Sequence, residues 1–409
     1  MEEKINKRIL FISQYFYPEN FKGNDLVFEL QQRGYAIDVV TAKPNYPQGS
    51  FYKGYGFLKR NFEIINGVKI YRLPIVSRGK GGKIRLLFNY CSFYFSCYFF
   101  YLTIGRKLEY DVILTQQLSP MTSSLPAIWF KKNNKARLIT WTLDLWPESI
   151  IATTRIKKGI IINWLDKLVK KLYDSSDLIL VSSKSFKESI SSKISNLEKI
   201  VFFPNWADKI FEENIRKREF PNLPNGFNIV FAGNLGEAQD LSNVIKCIKI
   251  FKNSSIVNFL FVGSGRFELE LREETSNFNN VFIYPQHSVE YMPSLYEKSS
   301  VMLLSLKGGE SISNTVPAKL QTYMSCGKPV VAMIDGEAND VIRESNCGLV
   351  ANAGNFEKLA EFIEELSRMN STELNQLGKN GQVFYKKYYS RKLAISKIET
   401  IINSDYFYQ

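Results

Sequence analysis

Short apolar runs recur along the chain, separated by stretches of helical periodicity. Residues 8–13, 36–41, 112–115, 138–141 and 178–182 read as strands, and their alternation with helices predicts parallel sheets, since a hairpin cannot join parallel neighbours. A second such series starts at residue 228. Between the two, residues 204–226 carry Pro221, Pro224, Gly226 and mixed charge, and read as a linker. The pattern predicts an α/β protein with domains at 1–205 and 206–384, followed by a helix over 385–409. A chain of 409 residues with 45% hydrophobic content is long enough for two cores and too long to be comfortable as one. No internal repeat or low-complexity tract interrupts it.

The second series carries the most chemistry. Residues 228–232 run into Gly233-Asn234-Leu235-Gly236, and residues 256–262 open into Gly263-Ser264-Gly265, loops where a backbone can approach a ligand closely. Residues 308–333 read as a loop, a helix, Gly327 as its stop, and a buried strand at 330–333. Pro317 suits the first helical position, and Ser313, Asn314 and Thr315 are candidate caps. A helix start with free N–H groups and Lys319 nearby favours a phosphate. An ordinary crossover with a solvated lysine is the alternative reading of that segment alone. Three strand-to-loop units with small residues at the strand carboxyl ends together indicate a nucleotide site.

Charge is unevenly divided. Residues 1–205 hold 31 Lys+Arg against 16 Asp+Glu, and the remainder 22 against 24, so the first domain carries +15 of a net +13. An anionic neighbour is implied, and nucleic acid is disfavoured because no recognised binding motif is present. An uncharged stretch at 86–104 has transmembrane length, but Asn89, Ser92, Ser96, Thr103 and several tyrosines suit a packed or interfacial helix better. Arg78, Lys80, Lys83, Arg85, Arg106 and Lys107 flank it, which predicts contact with an anionic membrane surface rather than a span. The five cysteines show no C-x-x-C spacing, so no disulfide framework or zinc knuckle is indicated. No signal peptide is evident, and the expected location is cytoplasmic, peripheral on the inner face of the plasma membrane.

The runs GNLGEAQDL, FLFVGSGRFELELRE, NVFIYPQHSVEYMPSLYEKSSVMLLSL and VPAKLQTYMSCGKPVVA resemble, in order and spacing, the C-terminal domain of retaining GT-B glycosyltransferases of the sucrose-synthase-like family. ILFISQYFYPENFKGNDLVFELQQRGYAIDVVTAKPNYP is similar to that family's opening strand, loop, helix and second strand. YFYPEN, AKPNYP, LTQQLSPM and LDLWPES resemble a bacterial capsule and O-antigen branch that includes N-acetylfucosaminyl transferases. The resemblance implies two Rossmann-like domains with parallel sheets facing an interdomain cleft, and a last helix returning to the first domain. It implies transfer of a GlcNAc- or FucNAc-like sugar, with retention, from a UDP-sugar to a polyprenyl-diphosphate-linked saccharide. No two aspartates lie two residues apart, so the Asp-x-Asp metal motif of the other main fold is missing and a metal-independent enzyme without cofactor is expected. Oligomeric state is not indicated.

The resemblance assigns donor contacts to Gly233, Asn234, Gly263, Gly265, Pro285, Ser313, Asn314, Thr315 and Thr322. Asp144, Lys319 and Glu310 are the catalytic candidates, and Glu19, Gly23, Trp146 and Glu148 belong to the acceptor side. Several positions depart from the pattern. The usual Arg and Lys fall on Asn234 and Gln239, the paired glutamates on Asn314 and Thr322, and a frequent His on Leu143. Glu310 is near enough in sequence to replace one glutamate, and Lys319 gains weight. For Asp144 two readings stand, orientation of the acceptor hydroxyl or a helix cap. Glu19 and Gly23 read as parts of the first glycine loop, or as a turn. Trp146 and Glu148 line the acceptor side or simply start a helix. His287 reads as structural or as a nucleobase contact. The lost charges also keep open a non-catalytic scaffold, and a nucleotide-sugar 2-epimerase is the remaining alternative.

Overall fold

The computed structural model describes residues 7–153, 159–213, 217–309 and 313–404. The chain divides into two compact units: one runs to Phe203 and regains the chain from Ile395, and the other is Pro204–Ala394.

The first unit contains, in order, β1 (Arg8–Ile12), α1 (Lys22–Gln32), β2 (Ala36–Ala42), β3 (Phe62–Ile65), β4 (Val68–Leu73), α2 (Lys83–Thr103) and β5 (Val112–Gln117). It continues with α3 (Ala127–Asn134), β6 (Arg137–Thr142), α4 (Glu148–Thr153), α5 (Ile160–Ser175), β7 (Leu178–Val181), α6 (Ser185–Ser191) and β8 (Ile200–Phe202). The strands form one sheet in the order β3-β4-β2-β1-β5-β6-β7-β8, parallel except for the β3/β4 hairpin. Its central strands are buried on both faces, which explains why they read as continuous apolar runs rather than alternating ones. The chain moves outward from β1 in both directions, Ile9 pairing with Ile37 of β2 and Val112 of β5, so loops diverge at the β1/β5 boundary.

Leu10, Ile113, Leu138 and Ile179 meet Phe93, Cys97 and Phe100 of α2, Phe130 of α3, and Leu165, Val169 and Leu172 of α5 in one core. The C-terminal helix Arg391–Asn403 joins α1 through Arg33–Glu399 at 2.6 Å and Asn403 donating to the Tyr35 hydroxyl at 2.7 Å. Residues 385–409 are therefore not one helix. A helix Ser371–Tyr388 ends in the second unit, and a new one starts at Arg391.

The 204–226 segment is not a free linker. It holds the short helix α7 (Lys209–Glu212), and Trp206, Ala207 and Phe220 are buried in the second unit. Apolar side chains outweigh the Pro and Gly content that suggested a spacer.

The second unit follows with β9 (Phe227–Ala232), α8 (Leu241–Ile250), β10 (Val257–Val262), α9 (Glu268–Glu274), β11 (Val281–Tyr284), α10 (Met292–Lys298), β12 (Val301–Ser305), β13 (Val330–Met333) and β14 (Gly348–Ala351). Its sheet is parallel throughout, in the order β11-β10-β9-β12-β13-β14. Here the order reverses at β9/β12, and the loops leaving β9 and β10 lie side by side at the carboxyl ends.

The 86–104 stretch forms most of α2, which buries Asn89, Phe93, Cys97 and Phe100. Among the described residues, no helix is long and apolar enough to cross a membrane.

Candidate functional site

In the second unit, backbone bonds lock two glycine loops together. Gly233 N–H donates to Val262 O at 2.9 Å, Leu235 N–H to Ser264 O at 2.9 Å, and Phe267 N–H to Leu235 O at 2.9 Å. The fit needs glycine. Gly263 has φ +155°, and a Cβ there would sit 1.9 Å from Gly233 O; one at Gly265 would sit 2.2 Å from Leu235 O. Among the described residues, the Asn234 and Gly265 N–H groups have no protein acceptor, leaving donors beside this junction.

Lys319 completes the cluster. A Cβ on Gly233, whose φ is +135°, would lie 2.7 Å from its Cε, so the absent side chain is what admits the lysine. Its Nζ donates to Gln239 Oε1 at 2.8 Å and stands 3.7 Å from the centre of the Phe231 ring. Burial pulls its pKa down to about 7, and among the described residues no carboxylate pairs with it. A half-buried ammonium beside free backbone donors is arranged for an anion that the described residues do not supply. Gln239, which replaces a cation of the family pattern, here holds Lys319 in place. Nothing in the sequence disclosed that bond, or the ring of Phe231 beneath the ammonium.

The helix behind Lys319 runs Ala318–Ser325. Pro317 is its N-cap, extended at φ −61° and ψ 136°, rather than its first helical residue, and no side chain caps it. Ser313, Asn314 and Thr315 precede that extended residue in the chain. Ser313 N–H donates to Gly309 O at 2.9 Å. The Thr322 hydroxyl donates to Ala318 O at 3.0 Å within the helix. Pro285 is exposed after β11, and its carbonyl meets His287 Nδ1 at 2.8 Å. His287 packs on Phe220 and Tyr291, a structural setting. Glu310 lies outside the described residues.

The first unit presents a separate polar group after β1 and β2. Glu19 is 1% exposed. Its Oε1 accepts the N–H groups of Asn45 at 2.8 Å and Tyr46 at 2.7 Å, while Oε2 is buried without a partner. Burial pushes its pKa up to about 7 against the pull of those N–H groups. Around it, Tyr15 stacks on Phe21 at 4.9 Å, and Arg78 donates to the Tyr15 hydroxyl at 2.7 Å while lying over the Tyr46 ring. Arg78, expected as a membrane flank, is engaged in this network instead, because the loop after β4 folds back over Asn45. Gly23 is not in a loop. It stands in the first turn of α1, where a Cβ would meet Phe11 and Gln116 at 2.7 and 2.6 Å, so it serves close helix-to-strand packing.

Asp144 follows β6. Its carboxylate accepts from Trp146 Nε1 at 3.2 Å and from the Ser149 hydroxyl, and burial holds its pKa above the usual range. One bond ties it to Trp146 just before α4 and the other to Ser149 in its first turn. Trp146 is 5% exposed and belongs to the core. Glu148 binds Lys193 at 3.0 Å and the Ser189 hydroxyl at 2.8 Å, an anchor between α4 and α6.

Residues 226–369, within the second unit, match the family described as Glycosyl transferases group 1. The chain is 23% identical over 340 residues to glycosyltransferase WbjE of Pseudomonas aeruginosa, covering 79% of this chain and 82% of the relative. It is also 23% identical over 316 residues to WcaI of Escherichia coli K12, a protein named for glycosyl transfer in colanic acid biosynthesis, covering 74% and 76%. Among solved structures, sucrose-phosphate synthase of Thermosynechococcus elongatus superposes with a TM-score of 0.71 at 15% identity, covering 97% and 98% of the two chains. Anabaena HepE in complex with UDP gives 0.67 at 13% identity, covering 97% and 99%. The fold is GT-B, with two Rossmann-like sheets.

Proposed function

We propose that this GT-B protein is a metal-independent, retaining glycosyltransferase that takes a UDP-sugar of GlcNAc or FucNAc type. Its acceptor is a polyprenyl-diphosphate-linked saccharide in capsule, O-antigen or exopolysaccharide synthesis, reached at the inner face of the plasma membrane. The observation that carries the reading is Lys319, an ammonium without a carboxylate partner among the described residues, set against Gly233 at the locked loops. A nucleotide diphosphate supplies the missing anion. As the bond to the sugar breaks, negative charge grows on the departing phosphate, and a cation already in place stabilises it without reorganisation. The N–H groups of Asn234, Gly265 and the first turn of Ala318–Ser325 add donors. The first unit offers Glu19, near half ionisation at neutral pH, as a group that accepts from or donates to an acceptor hydroxyl.

The test is incubation of the purified chain with labelled UDP-sugars and bacterial lipid extract, with nuclear magnetic resonance of the product's anomeric centre. Label in the lipid fraction with the donor's configuration supports the proposal. UDP bound without turnover for any donor would assign the protein to the scaffold reading, and an epimerised donor without acceptor would assign it to the epimerases.

A further inference from the structure

The helix α2 is apolar on two opposite faces. Asn89, Phe93, Cys97 and Phe100 face the core, while Ile84, Leu87, Phe88, Phe95, Tyr98 and Phe99 on the other side are 42–74% exposed. At 3.6 residues per turn these six share one stripe, roughly 22 Å long and free of charge. A second apolar group stands at the start of α5, where Ile160, Ile161 and Trp164 are 53–88% exposed. The two helices pack on the same core and touch the same short turn, Met121–Ser124. Both run against the strands, so their N-terminal ends lie at the carboxyl end of the sheet. Asn89, in the first half of α2, accepts there from Gln14 just after β1, at 2.8 Å.

Scattered apolar residues on a surface need no explanation, but a continuous aromatic stripe does. The charges around it select the partner. Lys80, Lys83 and Arg85 are exposed at the start of α2, and Lys167, Lys170 and Lys171 on α5. A two-fold pairing of copies through this face would set like charges against each other, whereas phosphate headgroups neutralise them.

We propose that the outer stripe of α2 and the first turns of α5 together form a membrane-docking surface for an anionic leaflet. Phe88, Phe95, Phe99 and Trp164 enter the headgroup boundary while the lysines and Arg85 remain among the phosphates. Docking is independent of the glycosyltransferase reading. Only its consequence rests on that reading: the carboxyl end of the first sheet, with Glu19, is held near lipid-borne acceptors.

The experiment is flotation of the full chain with vesicles of neutral phosphatidylcholine, alone or with one third phosphatidylglycerol, without sugar substrates. Binding to the anionic vesicles is expected, weaker binding to the neutral ones, and quenching of Trp164 fluorescence by brominated lipid that is reduced in Trp164→Phe. Lys80→Glu/Lys83→Glu/Arg85→Glu should lower partitioning more than about tenfold, since each basic residue near such a surface counts substantially. Phe88→Ser/Phe95→Ser/Phe99→Ser should lower it comparably while leaving the circular dichroism spectrum and UDP affinity unchanged; all three side chains are exposed. Equal binding to both vesicle types, or no binding by a chain that still binds UDP, overturns the surface and leaves the enzyme reading intact. Self-association lost in the Ser variant, without vesicle binding, would reassign the stripe to a second copy. Flotation by a chain that binds no UDP would sustain the surface and overturn the donor site instead.

Discussion

If Lys319 meets a diphosphate, nucleotide binding must take up a proton. In the free protein its pKa is near 7, because burial disfavours the charged form. A bound diphosphate favours that form and raises the pKa. Between the free and bound values, each binding event charges whatever fraction of Lys319 was neutral. That fraction is about one half at pH 7 and about nine tenths at pH 8, so uptake should rise from about 0.5 to about 0.9 proton per UDP. Affinity must fall as pH rises, about fivefold from pH 7 to 8 and about tenfold from 8 to 9, until the bound pKa is reached. The last ionisation of a phosphate lies near pH 6 and is nearly complete by 7.5, which isolates the lysine above that pH. Isothermal titration calorimetry in two buffers of different ionisation enthalpy measures the uptake directly. Lys319→Met keeps an apolar chain of similar length and should abolish uptake, weaken UDP binding, and slow transfer by roughly 10²-fold. A flat affinity from pH 7.5 to 9 in the native protein, or uptake that persists in Lys319→Met, would remove Lys319 from the phosphate site.

Three further outcomes are expected. Glu19 has its folded pKa raised from 4.5 to about 7, so the native state binds more protons than the unfolded state in between, and stability should fall by about 3 kcal/mol from pH 4.5 to 7 through this group; chemical denaturation of native protein and Glu19→Gln should show that decline only in the former, and parallel curves would refute it. Gly263→Ala, with a Cβ 1.9 Å from Gly233 O, should cost about 2–4 kcal/mol in the second unit, whereas Gly82→Ala, which meets nothing within 4 Å, should stay within about 0.5 kcal/mol; equal melting shifts would contradict the locked-loop geometry. Transfer should survive EDTA, because a lysine and backbone donors occupy the place where other folds set a cation; a loss restored by magnesium or manganese would overturn that account.

Much of the architecture could be read from the sequence because it is local. The strand at 330–333 is where the structure has β13, and β9 and β10 lie within a residue of the apolar runs that predicted them, since a buried parallel strand needs an unbroken apolar segment whatever surrounds it. The glycines at 233, 263 and 265 were legible for a similar reason. Close approach of backbones leaves no room for any other side chain, so geometry is written directly in residue type. Tertiary contacts decided the rest. Pro317 carried a helix-start signal, yet its extended ψ made it the cap and left Ser313, Asn314 and Thr315 outside the first turn. Gly23 read as part of a glycine loop on the acceptor side until Phe11 and Gln116 closed on it. Arg78 read as a membrane flank until the loop after β4 brought it to Tyr15. Burial raises the pKa of Glu19 against the pull of the Asn45 and Tyr46 N–H groups, and lowers that of Lys319 against Gln239 and the Phe231 ring, all neighbours distant in sequence. Residue type and spacing report what the backbone can do at a point, whereas charge state and accessibility are set by what the fold packs around it.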